Sequence, residues 1–319
     1  MTQNPRRRML FAGALAAAGL AGASRVDAQS GKLKIALVLK SLADPFTVAM
    51  VNAARNYQQH YASQFGLTIR GTARETDTAA QIQMVEQMIE GQMNAIVIAP
   101  TDSKALTAVV ARAIKAGIIT IAIDNPLDDA AQAAAGISVP FVGPDNRKGA
   151  TLVGNYLAAK LKPGDEVGVI EGIPVDRNAR QRTAGSEDAM DAASVKVVAI
   201  EPGNWDYGKG RDVASKMLSE HPQIRALLCG NDNMAMGAVD AIRDAGRSGE
   251  VYVTGYNAIE AIKPLLADGR VLATINQFAD RQAVFGIDVA LKAVTEHRKQ
   301  RELSKVIETP LQLVTATNR

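Results

Sequence analysis

Short continuous apolar runs alternate along the chain with longer segments whose apolar residues recur at helical spacing. Residues 34–39 (KIALVL) set the form, and 95–99 (AIVIA), 118–123, 167–170, 195–200, 226–229, 251–255 and 272–275 repeat it. Runs this short, continuous and rich in branched residues read as strands buried on both faces. Residues 67–71 and 311–314 read as two further strands. Between the runs, 45–65, 77–90, a segment ending at Ala116, 148–161, 180–192, 210–220, 233–245, 259–267 and 281–295 read as helices. Within 77–90, Ile82, Val85, Met88 and Ile89 share one face, and Gly117 is a helix stop signal. The strand–helix rhythm predicts an α/β chain built on doubly wound parallel sheets. It breaks at 141–145 (FVGPD) and restarts, which predicts two Rossmann-like lobes. No long Gly/Ser or Pro-rich linker separates them, so the crossings between lobes are expected to be short hinges.

The first 28 residues stand outside this rhythm. Arg6, Arg7 and Arg8 precede an Ala/Gly-rich apolar run, and Val26-Asp27-Ala28 supplies a small-residue cleavage site before Gln29. That is the layout of an export signal, with an apolar run too short to span a bilayer. The arginines ahead of Met9 and Leu10 resemble a twin-arginine signal; an ordinary secretory signal with an extra arginine has the same consequence, a periplasmic protein cleaved near Ala28-Gln29. The net charge of +3 changes with this reading. The leader carries Arg6, Arg7, Arg8, Arg25 and Asp27, so the remainder is formally neutral, and nothing suggests a nucleic-acid partner, which needs a basic surface.

The single cysteine, Cys229, excludes an internal disulfide and lies in an apolar run, as a small core side chain would. The histidines, His60, His221 and His297, have no spacing that resembles a metal or catalytic set. No metal and no cofactor is expected.

The candidate chemistry lies where strands end. The first runs into Lys40 and then Asp44-Pro45-Phe46 at a helix start; the fourth ends at Asp124-Asn125. The second unit offers Asp176 to Arg180, Asn204-Trp205-Asp206, Asn231-Asp232, Tyr256-Asn257 and Asn276-Gln277. In open α/β sheets ligands bind outside the carboxyl ends of the strands. Carboxylates, amides and a guanidinium can pair with neighbouring hydroxyls, while Phe46, Trp205 and Tyr256 can cover the C–H faces of a sugar. Taken singly, each of these residues is explained as well by turn formation or helix capping; taken together, they point to a polyhydroxylated ligand.

At these residues the chain resembles the ribose-type periplasmic sugar-binding proteins, the substrate receptors of ABC importers. The matching runs are 35–46, Pro100-Thr101-Asp102-Ser103, Ile121-Ala122-Ile123-Asp124, Arg180-Gln181-Arg182, 231–238 (NDNMAMGA) and Ala273-Thr274-Ile275-Asn276-Gln277, in the family's order. The run 231–238 is shared with the ligand-binding domains of LacI-type repressors; the export signal and the absence of an N-terminal DNA-reading helix pair argue against a repressor. The resemblance implies two lobes, 32–142 plus 278–309 and 143–277 plus 310–319, joined by three crossings near 142–144, 277–279 and 309–311, with ligand trapped by hinge closure. It also implies that Asp44 and Asp124 bind hydroxyls, Arg180 donates to ligand oxygens, Phe46, Trp205 and Tyr256 pack on the sugar, and Asn231 and Gln277 contribute amides.

Four departures bear on specificity. Lys40 replaces a small hydroxyl residue, Thr47 a second aromatic ring, Asn125 an arginine and Asn257 an aspartate. Two cations (Lys40, Arg180) then face two carboxylates (Asp44, Asp124), a balance that suits a neutral polyhydroxylated ligand, and one ring fewer leaves a different cavity, so a monosaccharide or polyol other than ribose is expected. A sugar acid held by Lys40 and Arg180 is the alternative, as is a receptor of the same fold that feeds a chemoreceptor or sensor in place of an ABC permease. An exported enzyme is a remote third reading: there is no dinucleotide glycine fingerprint after the first strand, no P-loop and no Gly-x-Ser-x-Gly. The expected protein is a monomer that binds without chemistry.

Overall fold

The computed structural model describes residues 31–318. The expected export signal, 1–28, lies outside them. In the first sheet, β1 (Leu33–Ser41), β2 (Phe65–Thr72), β3 (Ala95–Ile98), β4 (Ile119–Ile123), β5 (Phe141–Gly143) and a late strand, β11 (Val306–Glu308), stand in the order β11-β5-β4-β3-β1-β2, all parallel. In the second, β6 (Glu166–Glu171), β7 (Lys196–Pro202), β8 (Ile224–Cys229), β9 (Tyr252–Thr254), β10 (Ala273–Asn276) and β12 (Gln312–Thr315) stand in the order β12-β10-β9-β8-β6-β7, with only β12 antiparallel.

The helices are α1 (Pro45–His60), α2 (Thr78–Glu90), α3 (Thr107–Lys115), α4 (Asp129–Ala134), α5 (Asn146–Ala158), α6 (Arg177–Ala192), α7 (Tyr207–Glu220), α8 (Asp232–Asp244), α9 (Lys263–Ala267) and α10 (Ala279–Thr295). They cover both faces of each sheet, which is why the central strands are apolar throughout: β1 is buried from Ile35 to Ser41 and β3 over its whole length. Two lobes of the expected class result.

The chain passes between the sheets three times: from β5 to α5, from β10 to α10 and from β11 to β12. At the second passage Phe278 is left-handed (φ 52°, ψ 65°), a conformation that disfavours side chains with a Cβ. The Asn276 carboxamide accepts its N–H at 2.8 Å, and the Arg281 guanidinium stacks over its ring.

The hydrophobic pattern differs from the structure at helix ends and at a short strand. The first helix stops at His60, and Phe65 opens β2 as a fully buried side chain. The break at 141–145 is partly a strand, β5, because Val306–Glu308 pairs along it. α6 begins at Arg177, three residues before the pattern places it, with Asp176 at its N-cap.

Candidate functional site

Between the lobes lies a tight cavity of about 30 Å³, lined by Lys40, Asp44, Phe46, Thr47, Glu75 and Asp124 from the first lobe and Asn178, Arg182, Trp205, Asn231, Asn257 and Gln277 from the second. Eight of the eleven expected site residues are brought together here: Lys40, Asp44, Phe46, Asp124, Trp205, Asn231, Asn257 and Gln277.

Strand ends and helix starts position these groups. Asp44 caps α1, its Oδ1 accepting from the N–H groups of Phe46 (2.8 Å) and Thr47 (3.4 Å), so Pro45 enters the first turn and Phe46 faces inward. Asn231 caps α8 through Met234 N–H (2.9 Å) while its amide donates to the Trp205 carbonyl (3.1 Å). Asn204 and Trp205 both have positive φ, 52° and 66°. This sparsely populated turn lays the indole over Gly172, where a Cβ would stand 2.0 Å from the ring. Asp124 is likewise left-handed (φ 60°) just past the end of β4. Gln277, fully buried, donates to Asn257 Oδ1 at 2.7 Å.

Three expected residues stand elsewhere. Arg180 is exposed and donates to the carbonyls of Pro174 and Val175 at 3.0 Å. Arg182 occupies the cavity in its place. Two residues along a helix are about 200° apart, so Arg180 and Arg182 cannot both face inward. Arg182 shares the inward face with Ala179, Gly185 and Ser186. Asn125 is fully buried and serves the joint between lobes: its Oδ1 accepts from Ser103 Oγ and from the Asn178 backbone N–H, both at 3.2 Å, and its amide donates to the Pro100 carbonyl. Tyr256 stands behind Arg182, with its ring centroid 3.8 Å from the guanidinium carbon, and burial pushes its phenol up to about 12.

Arg182 is held as a rigid donor. Trp205 lies 5.3 Å from it on another side, Nε donates to Asn146 Oδ1 (2.8 Å) and Nη1 donates to the Gly230 carbonyl (2.9 Å). Burial pulls its pKa down, but a guanidinium stays charged.

Four residues that line the cavity were not among the expected set: Thr47, Glu75, Asn178 and Arg182. Thr47 follows Phe46 in the first turn of α1, Asn178 is in the first turn of α6, and Glu75 stands just past the end of β2, a strand end that carries no expected site residue. The Glu75 carboxylate accepts from Ser41 N–H at 3.0 Å, and burial pushes it up to about 7 against the opposing pull of Lys40.

Lys40 bridges the lobes. Its ammonium lies 3.1 Å from Asp176 Oδ2 across the cleft and 3.5 Å from Asp124 Oδ2 in its own lobe. Burial alone would lower its pKa, but Asp176, Asp124 and Glu75 drive it above the ordinary lysine range. Asp176 stands at the N-cap of α6 without capping it; its Oδ2 accepts instead from Lys40 and from Trp205 Nε1 (2.9 Å). Further interlobe bonds run from Asn233 Nδ2 to Asp44 Oδ2 (2.6 Å) and from Arg177 N–H to Ser103 Oγ (2.9 Å), and Arg177 pairs with Asp129 (2.7 Å). The lobes are thus latched shut around the cavity. Two cations, Lys40 and Arg182, face three carboxylates, Asp44, Glu75 and Asp124, with Asp176 behind them. The expected balance of two against two is corrected to an excess of negative charge. Among the described residues no group of His, Cys, Asp or Glu is placed to hold a metal ion.

Two parallel-sheet lobes closed on a polar, aromatic-walled cavity define a hinge-closing receptor for a small solute. The chain belongs to the periplasmic binding protein family, whose domain model matches residues 35–298. It is 57% identical over 285 residues to the D-ribose/D-allose-binding protein of Pseudomonas aeruginosa, covering 89% of each chain. To the D-allose-binding periplasmic protein of Escherichia coli it is 34% identical over 250 residues, 76% of this chain and 78% of the other. Among solved structures, it superposes on an ABC transporter solute-binding protein of Burkholderia multivorans with a TM-score of 0.87 at 60% identity, covering 89% of this chain and all of that one. A periplasmic solute-binding protein of Actinobacillus succinogenes with bound D-allose gives a TM-score of 0.84 at 31% identity over 90% and 99% of the two chains.

Proposed function

We propose that this chain is an exported, monomeric receptor that traps a neutral monosaccharide between its lobes in the periplasm and delivers it to an ABC permease in the inner membrane. D-allose and D-ribose are the first candidates, because they are the sugars named for the Pseudomonas aeruginosa, Escherichia coli and Actinobacillus succinogenes relatives. The observation that carries the neutral-ligand reading is the charge of the cavity. Even with Glu75 uncharged, Asp44, Asp124 and Asp176 outnumber Lys40 and Arg182, so a sugar acid would add a buried negative charge without a cation of its own. Hydroxyl groups, which both donate and accept, fit Asp124, Asn257, Gln277 and Arg182 together, and Phe46 and Trp205 offer apolar surface to the ring.

The reading requires only binding. Each lobe carries part of the hydroxyl-reading set, so a sugar completes its contacts only in the closed form, and that difference drives closure. The permease then reads the closed surface as occupancy.

Thermal unfolding tests this. Protein freed of any carried ligand by unfolding and refolding should melt several degrees higher in D-allose or D-ribose, since ligand at one hundred times its Kd adds about 2.7 kcal/mol to the folded state. Aldonic and uronic acids should leave the midpoint unchanged. A shift with the acids alone would replace the neutral sugar by an anionic one.

A further inference from the structure

Glu75 differs from the other carboxylates around the cavity. Asp44 caps α1 and also accepts from Asn233, so a helix N-terminus and an amide support its charge. Asp124 and Asp176 share the Lys40 ammonium, and Asp176 accepts from Trp205 as well. Glu75 has one hydrogen bond among the described residues, from Ser41 N–H to Oε1. The charged groups that act on it are Lys40 at the end of β1, Asp44 at the start of α1 and Asp124 after β4; Arg182 and Asp176 stand across the cleft on α6. Its own neighbour Arg74 is turned outward to Asp77. One ammonium therefore serves three carboxylates, and closing the lobes over them removes the water that screens their repulsion.

We propose that Glu75 reads the ligand as a neutral carboxylic acid: closure around a sugar takes one proton from solvent onto Glu75, and its O–H donates to a ligand oxygen, making it a determinant of which sugar is held. The inference rests on the sugar-receptor reading. Its carboxyl, raised to about 7 by burial in the closed form, agrees with it. Since the closed state favours the protonated form, the favourable contribution is full below the ordinary carboxylate range. It fades as pH rises and is lost above about 7.

The test is calorimetric titration of the protein with D-allose and with D-ribose between pH 5 and 8.5, in buffers of different ionisation enthalpy, for wild type and Glu75→Gln. Binding to wild type should take up close to one proton near pH 6, and affinity should fall by up to about tenfold per pH unit towards pH 7 before levelling. Glu75→Gln, permanently neutral and still a donor, should lose both effects and bind at pH 7.5 at least as tightly as wild type. Wild-type binding with no proton uptake and a flat pH profile overturns the proposal. If neither sugar binds, the sugar reading fails, and Glu75 is read instead from ligand-free unfolding midpoints. Glu75→Gln should gain several degrees on wild type between pH 5 and 8, whereas parallel profiles overturn the proposal. Asp232, also raised to about 7 by burial but bonded to Thr274 and the Ile259 N–H away from the cavity, contributes equally to both proteins.

Discussion

Arg182→Ala is expected to weaken sugar binding by a hundredfold or more, while Arg180→Ala leaves it unchanged. Truncating one partner of a buried, charge-assisted contact costs about 2–5 kcal/mol, and each 1.4 kcal/mol is tenfold in affinity. The side chain is 4% exposed and held by Asn146, Gly230 and the faces of Tyr256 and Trp205, so little of its order is created on binding. Its loss also leaves a void between the two rings. The comparison is therefore made by calorimetric titration alongside melting of the ligand-free protein. Arg182→Lys is expected to rescue the melting midpoint in part and affinity poorly, because an ammonium cannot reproduce the planar donor fork. Equal affinity in wild type and Arg182→Ala, or a large loss in Arg180→Ala, would move the ligand away from the cavity.

Lys40→Met is expected to unlatch the lobes. Removing the cation leaves Asp176 and Asp124 facing one another, and breaking a buried pair from one side costs about 3–5 kcal/mol. Most of this falls on the closed form, since opening lets the carboxylates rehydrate. Sugar affinity should fall by two to three orders of magnitude, with a larger radius of gyration by X-ray scattering and a modest change in melting. Adding Asp176→Asn to Lys40→Met should restore part of the affinity by removing one stranded charge. Affinity within threefold of wild type in Lys40→Met would reduce the lysine to one ligand contact among many.

The latch recasts what the sequence could say about the site. Lys40 stands out at a strand end, and its place in the cavity follows from that. Its partner Asp176 reads in the sequence as one more strand-end residue for the ligand, because nothing local reveals that this N-cap aspartate leaves its helix uncapped to meet a lysine 136 residues earlier. The central strands were legible because burial on both faces leaves an unbroken apolar run. β5 and β11 were not, since each is three residues long and without an unbroken apolar run, and β5 is fixed by pairing with β4 on one side and β11 on the other. The resemblance placed a guanidinium in the segment 180–182, but the choice between its two arginines depends on helix phase, which a start misplaced by three residues obscures. Asn125 and Tyr256 are adjacent to residues that do face the ligand space, Asp124 and Asn257. Neighbouring positions at a strand end point opposite ways, and strand-end clustering alone does not say which points inward.

Trp205 offers the most direct measurement. It is the only tryptophan in the chain, 6% exposed, on the cavity wall and bonded to Asp176. Fluorescence titration of ligand-free protein with D-allose and D-ribose should give a saturable change in emission at one sugar per chain, at the concentrations where calorimetry records binding. Saturable heat with unchanged Trp205 emission would place the sugar outside this cavity and contradict the assignment of the site.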